Sequence, residues 1–272
     1  MLTSLLENNK QKEDINIYLL HSSLKDEEIN SLRVLVEKKY KAKLNNITVD
    51  KKQFEEFPIS HHFTIETYYR FLAQSILPKE IDRILWLDVD MIVKKPLEEL
   101  YYQDFEDRYI IVAQSINKNP QELIKKLGLK EGSKYFNAGM ILFNLNKIRE
   151  SVKPDIYFEY IKNNREKITW LDQDVLNVIY NQSSKFVDYM KYNMQTFSDE
   201  EFNSTLIKQI NEETVIIHYI GACKPWHFRY NNYCSKFYWE YAKKSEGIYS
   251  YIKFKIINFT YQNLKKLKGL IK

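Results

Sequence analysis

An α/β fold, a mostly parallel sheet covered by helices on both faces, is the architecture this sequence predicts. Two patterns point to it. Short apolar runs alternate with amphipathic stretches of helical spacing, and this βαβα order packs helices over a sheet. One run, Ile84-Leu85-Trp86-Leu87, is apolar throughout, as a strand buried on both faces is, and ends abruptly in Asp88-Val89-Asp90. A length of 272 residues with 44% hydrophobic and 28% charged content suits one large soluble domain with a substantial core. No internal repeat and no low-complexity linker divides it.

The elements follow in order. Residues 14–20 (DINIYLL) read as a strand. Residues 26–40 read as a helix, with Ile29, Leu32, Leu35 and Val36 on one face and an acidic first turn that suits the helix dipole. Residues 44–49 form a short strand, and residues 64–76 a helix ended by Pro78. After the strand at 84–87 come a strand at 109–113 and a helix at 120–127 that stops at Gly128. Residues 140–145 are a strand, 154–163 and 172–180 are helices, and 215–219 are a last strand.

The net charge of +5 is unevenly spread. Six lysines and no acid lie between Ile248 and Lys272, and subtracting them from 41 bases leaves 35 against 36 acids elsewhere. The body is therefore near neutral, which argues against a nucleic-acid groove. Two cysteines, Cys223 and Cys234, make no disulfide framework and read as free thiols in a reducing compartment. Neither a signal-peptide pattern nor a run of 18 apolar residues occurs, so the expectation is a cytoplasmic chain that does not span a membrane.

If the strand stays extended through Asp90, side chains at i and i+2 share a face, and Asp88 and Asp90 converge at its end. Two adjacent carboxylates repel and call for a cation between them. Ligand sites in α/β sheets lie at such strand ends, so the pair suggests a metal-bridged site for an anion such as a diphosphate. The alternative is a solvated loop, since Asp favours turns. A second apolar run, Val215-Ile216-Ile217, ends in His218. An Asp, Asp, His set is a sensible oxygen and nitrogen ligand group, and the imidazole favours Mn²⁺ over Mg²⁺. Gly221 lets backbone approach a ligand closely, and Lys224 either reaches a phosphate or is an ordinary surface lysine. Gly139 marks a bulge or a close approach, while Asn137 donates to a sugar hydroxyl or holds a turn. In Asp172-Gln173-Asp174, Asp172 reads as the helix N-cap, and either Gln173 or Asp174 faces the site. Arg70, on an amphipathic helix, is a phosphate anchor or a surface charge.

Taken in order, five segments resemble glycosyltransferase family 8, the group of lipopolysaccharide galactosyltransferases and glycogenin. They are HHFTIETYYRF (61–71), ILWLDVDMIV (84–93), KYFNAGMILFNLNKI (134–148), TWLDQDVLNVIY (169–180) and IIHYIGACKPW (216–226). The resemblance implies a GT-A fold, mixed and mostly parallel, over residues 1–236, with an amphipathic C-terminal appendage over 237–272. It implies a UDP-sugar donor of galactose or glucose, a surface-glycan acceptor, a divalent cation, usually Mn²⁺, and retention at the anomeric carbon. Carried across, Asp88, Asp90 and His218 are the metal ligands, and Gly221 and Lys224 are diphosphate contacts. Arg70 and Asp88 are donor-side contacts, Asn137, Ala138 and Gly139 the donor-sugar shelf, Asp172 and Gln173 the reaction-centre pair, and His62 an acceptor-side residue.

The family pattern starts with a strand and a loop that grip the uridine, ahead of the segment resembling residues 2–9. Without them the strand at 14–20 is expected to lose a parallel neighbour on one edge, and the chain to bind a nucleotide poorly. A truncated, non-catalytic binding protein is therefore the competing reading. The aromatic, lysine-rich tail, including Tyr238, Trp239, Tyr241, Tyr249, Tyr251, Phe254 and Phe259, reads as an interfacial segment on an anionic membrane. A peripheral position on the inner face of the cell membrane, with a lipid-linked acceptor, suits that reading.

Overall fold

The computed structural model describes residues 1–59, 64–116, 119–227, 229–246 and 252. Helix α1 (Leu2–Asn8) precedes strand β1 (Asn16–His21), helix α2 (Asp26–Arg33), which continues as a π-helical turn over Val34–Lys39, and strand β2 (Lys43–Thr48). A 3₁₀ helix over Ile65–Leu72 runs into α3 (Ala73–Ile76). Strand β3 (Arg83–Leu87), strand β4 (Met91–Val93), α4 (Glu98–Tyr101), β5 (Ile110–Gln114), α5 (Pro120–Leu127) and β6 (Phe136–Asn144) follow. The chain then forms α6 (Leu145–Ser151), α7 (Ile156–Asn163), α8 (Leu171–Tyr180), β7 (Ser184–Val187), α9 (Tyr189–Tyr192), β8 (Met194–Thr196), α10 (Ser204–Glu212), β9 (Ile216–Tyr219) and α11 (Ser235–Glu246).

The strands form three ladders among the described residues, β1-β2, β3-β6-β5-β7 and β4-β9-β8. The pairings β1/β2, β5/β7 and β8/β9 are parallel, while β3/β6, β5/β6 and β4/β9 are antiparallel. The sheet is thus mixed, and parallel pairings match antiparallel ones in number because β6 runs against both of its neighbours. Strand β1 has β2, in parallel, as its one strand neighbour among the described residues.

Strand β6 is the axis of the fold. Residues 138–143 are all buried, and the apolar side chains among them are shared among three hydrophobic clusters. On one side Tyr68, Tyr69 and Phe71 of the 3₁₀ helix pack with Val175 and Leu176 of α8 and with Phe136, Ile141 and Phe143. A second cluster joins Met91, Val93, Met140, Val215 and Ile216 beneath the β4-β9-β8 ladder. The β5/β6 ladder breaks between Val112 and Ala113. Val112 pairs with Ile141, but Ala113 pairs with Asn137, so Ala138, Gly139 and Met140 stand outside it. Irregular backbone of this kind re-aims side chains beside functional sites.

Helix α11 docks on the body. Asn8 Nδ2 donates to Tyr241 Oη at 2.7 Å and to Val93 O at 2.9 Å, and Lys244 pairs with Glu7 at 2.8 Å. Trp239 and Tyr241 are buried there, which corrects the membrane reading for these two aromatics: they serve the core. Tyr249, Tyr251, Phe254 and Phe259 lie outside the described residues, as does His62.

Asn177 clamps α8 to β6. Its Oδ1 accepts from Phe136 N, and its Nδ2 donates to Phe136 O, each at 2.9 Å. Asn177→Leu would leave the Phe136 N–H and C=O buried without these partners. The expected cost is about 2–4 kcal/mol, at ~1–2 kcal/mol per unsatisfied group, read as a lower urea midpoint. An unchanged midpoint would mean that the clamp contributes nothing.

Candidate metal and donor site

The site lies at the seam between two ladders. Strand β3 belongs to the four-stranded ladder and β4 to the three-stranded one, so the chain must change direction between Leu87 and Met91. It does so in a turn at Val89 and Asp90, with Val89 exposed at its tip. Asp88 and Asp90 do converge, but through this turn and not through an extended i, i+2 strand, because an extended chain could not cross to the second ladder. Across that ladder His218 pairs with Met91, and Tyr219 N donates to Asp90 O at 3.1 Å. Asp88, Asp90 and His218 therefore offer ligand atoms within 4.8 Å of one another.

Each acid has a resident cation. Asp88 Oδ1 accepts from Arg70 Nη2 at 2.9 Å and from Trp86 Nε1 at 3.2 Å, and the Arg70 guanidinium stacks over the Trp86 ring at 5.1 Å. Asp90 Oδ2 accepts from Lys224 Nζ at 2.6 Å, which also donates to Tyr219 O at 2.7 Å. Burial opposes ionisation of Asp90, but the His218 imidazole in its protonated form and the Lys224 ammonium outweigh it and hold the carboxyl well below the usual carboxylate range. Gly221 sits at φ +83°, the left-handed region in which glycine is unstrained, and turns the chain from β9 back toward Lys224.

Arg70 is 5% exposed, which excludes the surface-charge alternative. Besides Asp88 it meets Ala138 O, Thr67 O and, at 3.0 Å from Nε, Asp172 Oδ2. That last contact is an ion pair without hydrogen-bond alignment, since Nε points at Thr67 O and Asp172 Oδ2 has no hydrogen-bond partner. Burial pushes Asp172 up to about 6 against the pull of Arg70 and of the Thr67 hydroxyl. Burial also works against the Arg70 charge, but Asp172 and Asp88 outweigh it and keep the guanidinium protonated.

Asp172 is not the N-cap of α8. The helix begins at Leu171, and Asp172 turns inward to Arg70 because an uncompensated buried guanidinium would cost more than a missing cap. Asp174 holds the helix start instead. Its Oδ2 accepts from Thr169 N at 2.6 Å and Trp170 N at 2.7 Å, and its Oδ1 accepts from Tyr135 Oη at 2.6 Å. Of the two alternatives, Gln173 faces the shelf. Its Oε1 accepts from Asn137 Nδ2 at 3.1 Å and Ala138 N at 3.0 Å.

Gly139 is glycine for a packing reason. A Cβ there would overlap His218 Cε1 and lie 2.9 Å from its Nδ1 and from Met91 Cε. Both sequence readings of this residue hold, since it sits in the irregular stretch of β6 and under a closely approaching ring. Thr67, Trp86, Tyr135 and Asn193, which the sequence reading did not assign to the site, complete it together with Asp174, the alternative it had weighed against Gln173. Of the unassigned residues, Trp86 alone carried a signal, standing two residues before Asp88 on the same strand face.

The residues present fit a small divalent cation. Asp90 Oδ1 is buried without a hydrogen-bond partner, and His218 Nε2 lies 3.3 Å from it without hydrogen-bond alignment. With the ring neutral and its proton on Nδ1, Nε2 and Asp90 Oδ1 are two acceptors facing one another in a buried place, which is unfavourable until a cation lies between them. Carboxylate oxygens with one imidazole suit Mn²⁺ or Mg²⁺.

Fold and site together define a glycosyltransferase of the GT-A type, a mixed sheet with an acid, acid, histidine cluster at a strand end. The Glycosyl transferase family 8 profile matches residues 1–229, and the chain belongs to that family. A lipopolysaccharide 1,2-glucosyltransferase of Escherichia coli is 28% identical over 87% of this chain and 71% of its own length. A lipopolysaccharide 1,3-galactosyltransferase of Salmonella typhimurium is 33% identical over 70% of this chain, and the match spans 58% of that relative. Among solved structures, the galactosyltransferase LgtC, in complex with donor and acceptor sugar analogs, superposes with a TM-score of 0.75. It is 21% identical, with 89% of this chain and 91% of that one covered.

Gly139→Ala should displace the imidazole and weaken Mn²⁺ binding to the nucleotide-free protein by about 10–100-fold, the usual size of a ligand-orientation defect. Titration calorimetry reads this directly, and unchanged affinity would separate His218 from the cation.

Proposed function

We propose that this chain is a metal-dependent, retaining hexosyltransferase that moves galactose or glucose from a UDP-sugar to a surface-glycan acceptor. The observation that carries the reading is the convergence of Asp88, Asp90 and His218 within 4.8 Å, with the Lys224 ammonium 2.6 Å from Asp90. When bound, a divalent cation such as Mn²⁺ would neutralise the diphosphate and stabilise its charge as it leaves. Lys224 lies where it can exchange Asp90 for a phosphate oxygen, adding a second positive charge, and Gly221 brings backbone close to that group. Asn137, Ala138 and Gly139 would line a sugar shelf, and Arg70 ties that stretch to Asp88.

Retention requires either a covalent intermediate on a side chain or attack from the face the leaving group vacates. Asp172 is a poor nucleophile here, being 4% exposed and committed to Arg70 and Thr67. Gln173 is an amide whose oxygen already accepts two hydrogen bonds. These facts favour same-face attack. The bond from the anomeric carbon to the phosphate oxygen breaks with its electron pair going to UDP. The acceptor oxygen bonds to the same carbon, and its proton passes to the departing phosphate. Mass-spectrometric capture of a glycosylated Asp172 or Gln173 during turnover would overturn this route.

A UDP-sugar panel scored by UDP release tests the activity. Release should require Mn²⁺ or Mg²⁺, stop with EDTA and return on metal addition. Asp90→Asn should lower it by about 100-fold or more through loss of a ligand charge, with the circular dichroism spectrum unchanged. A metal-binding chain that releases no UDP from any donor would instead be a non-catalytic binding member of the family.

The acceptor is most simply lipid-linked, with residues 248–272 meeting an anionic membrane. The support is the run of six lysines without an acid. No helix among the described residues is long and apolar enough to cross a membrane. Deleting the residues after Gly247 should abolish sedimentation with phosphatidylglycerol-rich vesicles while leaving the melting temperature in place. Retained vesicle binding would remove the tail from the reading.

A further inference from the structure

His218 reaches more of the site than the cation. Its Nδ1 lies 3.0 Å from Asn193 Oδ1, and Asn193 Nδ2 donates to Asn137 Oδ1 at 3.0 Å. Asn137 Nδ2 donates to Gln173 Oε1 at 3.1 Å, Gln173 Nε2 to Tyr135 Oη at 3.1 Å, and Tyr135 Oη to Asp174 Oδ1 at 2.6 Å. Every donation in this series runs the same way, from the imidazole toward a carboxylate that can only accept.

The direction is fixed by backbone groups. Gly139 N donates to Asn137 Oδ1 and Ala138 N to Gln173 Oε1, each at 3.0 Å. A peptide N–H can only donate, so both of those amide atoms are oxygens. The Asn193 atom facing Asn137 Oδ1 must then be the NH₂, which turns the Asn193 oxygen to His218. An oxygen there requires the proton on Nδ1, and the neutral imidazole is left with its lone pair on Nε2, the atom beside Asp90. At the far end Asp174 is fastened by Thr169 N and Trp170 N, and burial with the adjacent Asp174 keeps the Tyr135 hydroxyl protonated.

We propose that Asn193 is a positioning residue that joins the metal ligand to the donor shelf. Its oxygen selects the His218 tautomer able to bind a cation, and its NH₂ orients Asn137 and, through it, Gln173. Asn193 is fully buried at the entry to β8 and touches neither the cation nor the sugar in this scheme, so it acts through its neighbours. The metal half of the inference rests on the function proposed above, whereas the tautomer does not.

Two variants separate the two ends of Asn193. Asn193→Leu removes both, and Mn²⁺ affinity of the nucleotide-free protein should fall by about 10–100-fold. Asn193→Asp keeps an acceptor for His218 but sets a carboxylate oxygen against Asn137 Oδ1. Mn²⁺ affinity should stay within about threefold of the parent, while KM for the donor rises about tenfold. Long-range ¹H–¹⁵N histidine spectra of the metal-free parent should show the proton of His218 on Nδ1. The Nε2–H tautomer there, or equal loss of metal affinity in the Asp and Leu variants, overturns the proposal. So does a donor KM in Asn193→Asp that matches the parent. Should Asn193→Leu not fold, the Asp variant and the parent spectrum decide alone. A parent that shows the Nδ1 proton yet binds no Mn²⁺ would remove the metal-dependent function and leave the hydrogen-bonded series standing.

Discussion

Charge balance at the seam between the two ladders is the constraint around which the rest is built. Three carboxylates, Asp88, Asp90 and Asp172, gather where the chain crosses from β3 to β4, and two cations, Arg70 and Lys224, are set among them. Burying such groups is tolerable only when they are paired, since removing one partner from a buried pair costs about 3–5 kcal/mol. These three carboxylates and two cations together carry one net negative charge. A divalent cation converts it to one net positive charge, which is the sign a diphosphate needs. The same residues thus keep the metal-free fold stable and prepare the loaded site to attract an anion. Lys224 differs from Arg70 in this respect. Arg70 is locked by a fork of contacts, whereas a single flexible ammonium can move from carboxylate to phosphate.

The backbone supplies the precision that the charges lack. Strand β6 leaves the β5 ladder for three residues, and there Ala138 O takes the Arg70 guanidinium, Gly139 O takes Asp88 N, and the bare Cα of Gly139 receives the His218 ring. A regular strand would have paired Ala138 with β5, whereas Gly139 O extends the β3 ladder by one rung to Asp88. The irregular stretch therefore links the cation cluster to the shelf without any flexible loop, and side chains built on a sheet hold position better than those on a loop.

Much of this could be read from residue order, and the failures have physical causes. Asp88, Asp90 and His218 were legible because uninterrupted apolar runs end at Asp88-Val89-Asp90 and at His218, and α5 was legible from Pro120 and Gly128 at its two ends. Strands β4 and β8 have three residues each, too few for any period to emerge. Asp172 looked like a cap because local chemistry favours one, but a buried arginine 102 positions earlier outweighed it. The same long-range pairing hid the burial of Arg70. Asn193 gave no signal, because an asparagine between strand-forming residues reads as a turn until its neighbours in space are known. Trp239 and Tyr241 read as membrane-facing because an aromatic beside lysines has the same composition whether it meets lipid or a helix of its own body.

Leu171 shows how the reaction-centre pair is aimed. It has φ +47°, a left-handed conformation that costs a branched residue about 1–2 kcal/mol. A glycine would relieve that strain, but Leu171 is 2% exposed and packs in the main core, where a buried leucine contributes about 2 kcal/mol. The two effects nearly cancel, and the deciding contribution comes from Asp174, whose carboxylate takes the Thr169 and Trp170 N–H groups on the other side of the kink. Charge-assisted bonds of this kind are about twice as strong as neutral ones. Without the left-handed residue α8 would begin in line with the preceding chain, and Asp172 and Gln173 would be rotated off the Arg70 and Asn137 partners they now meet. The strain at Leu171 is therefore the means by which one helix start serves both the buried ion pair and the shelf.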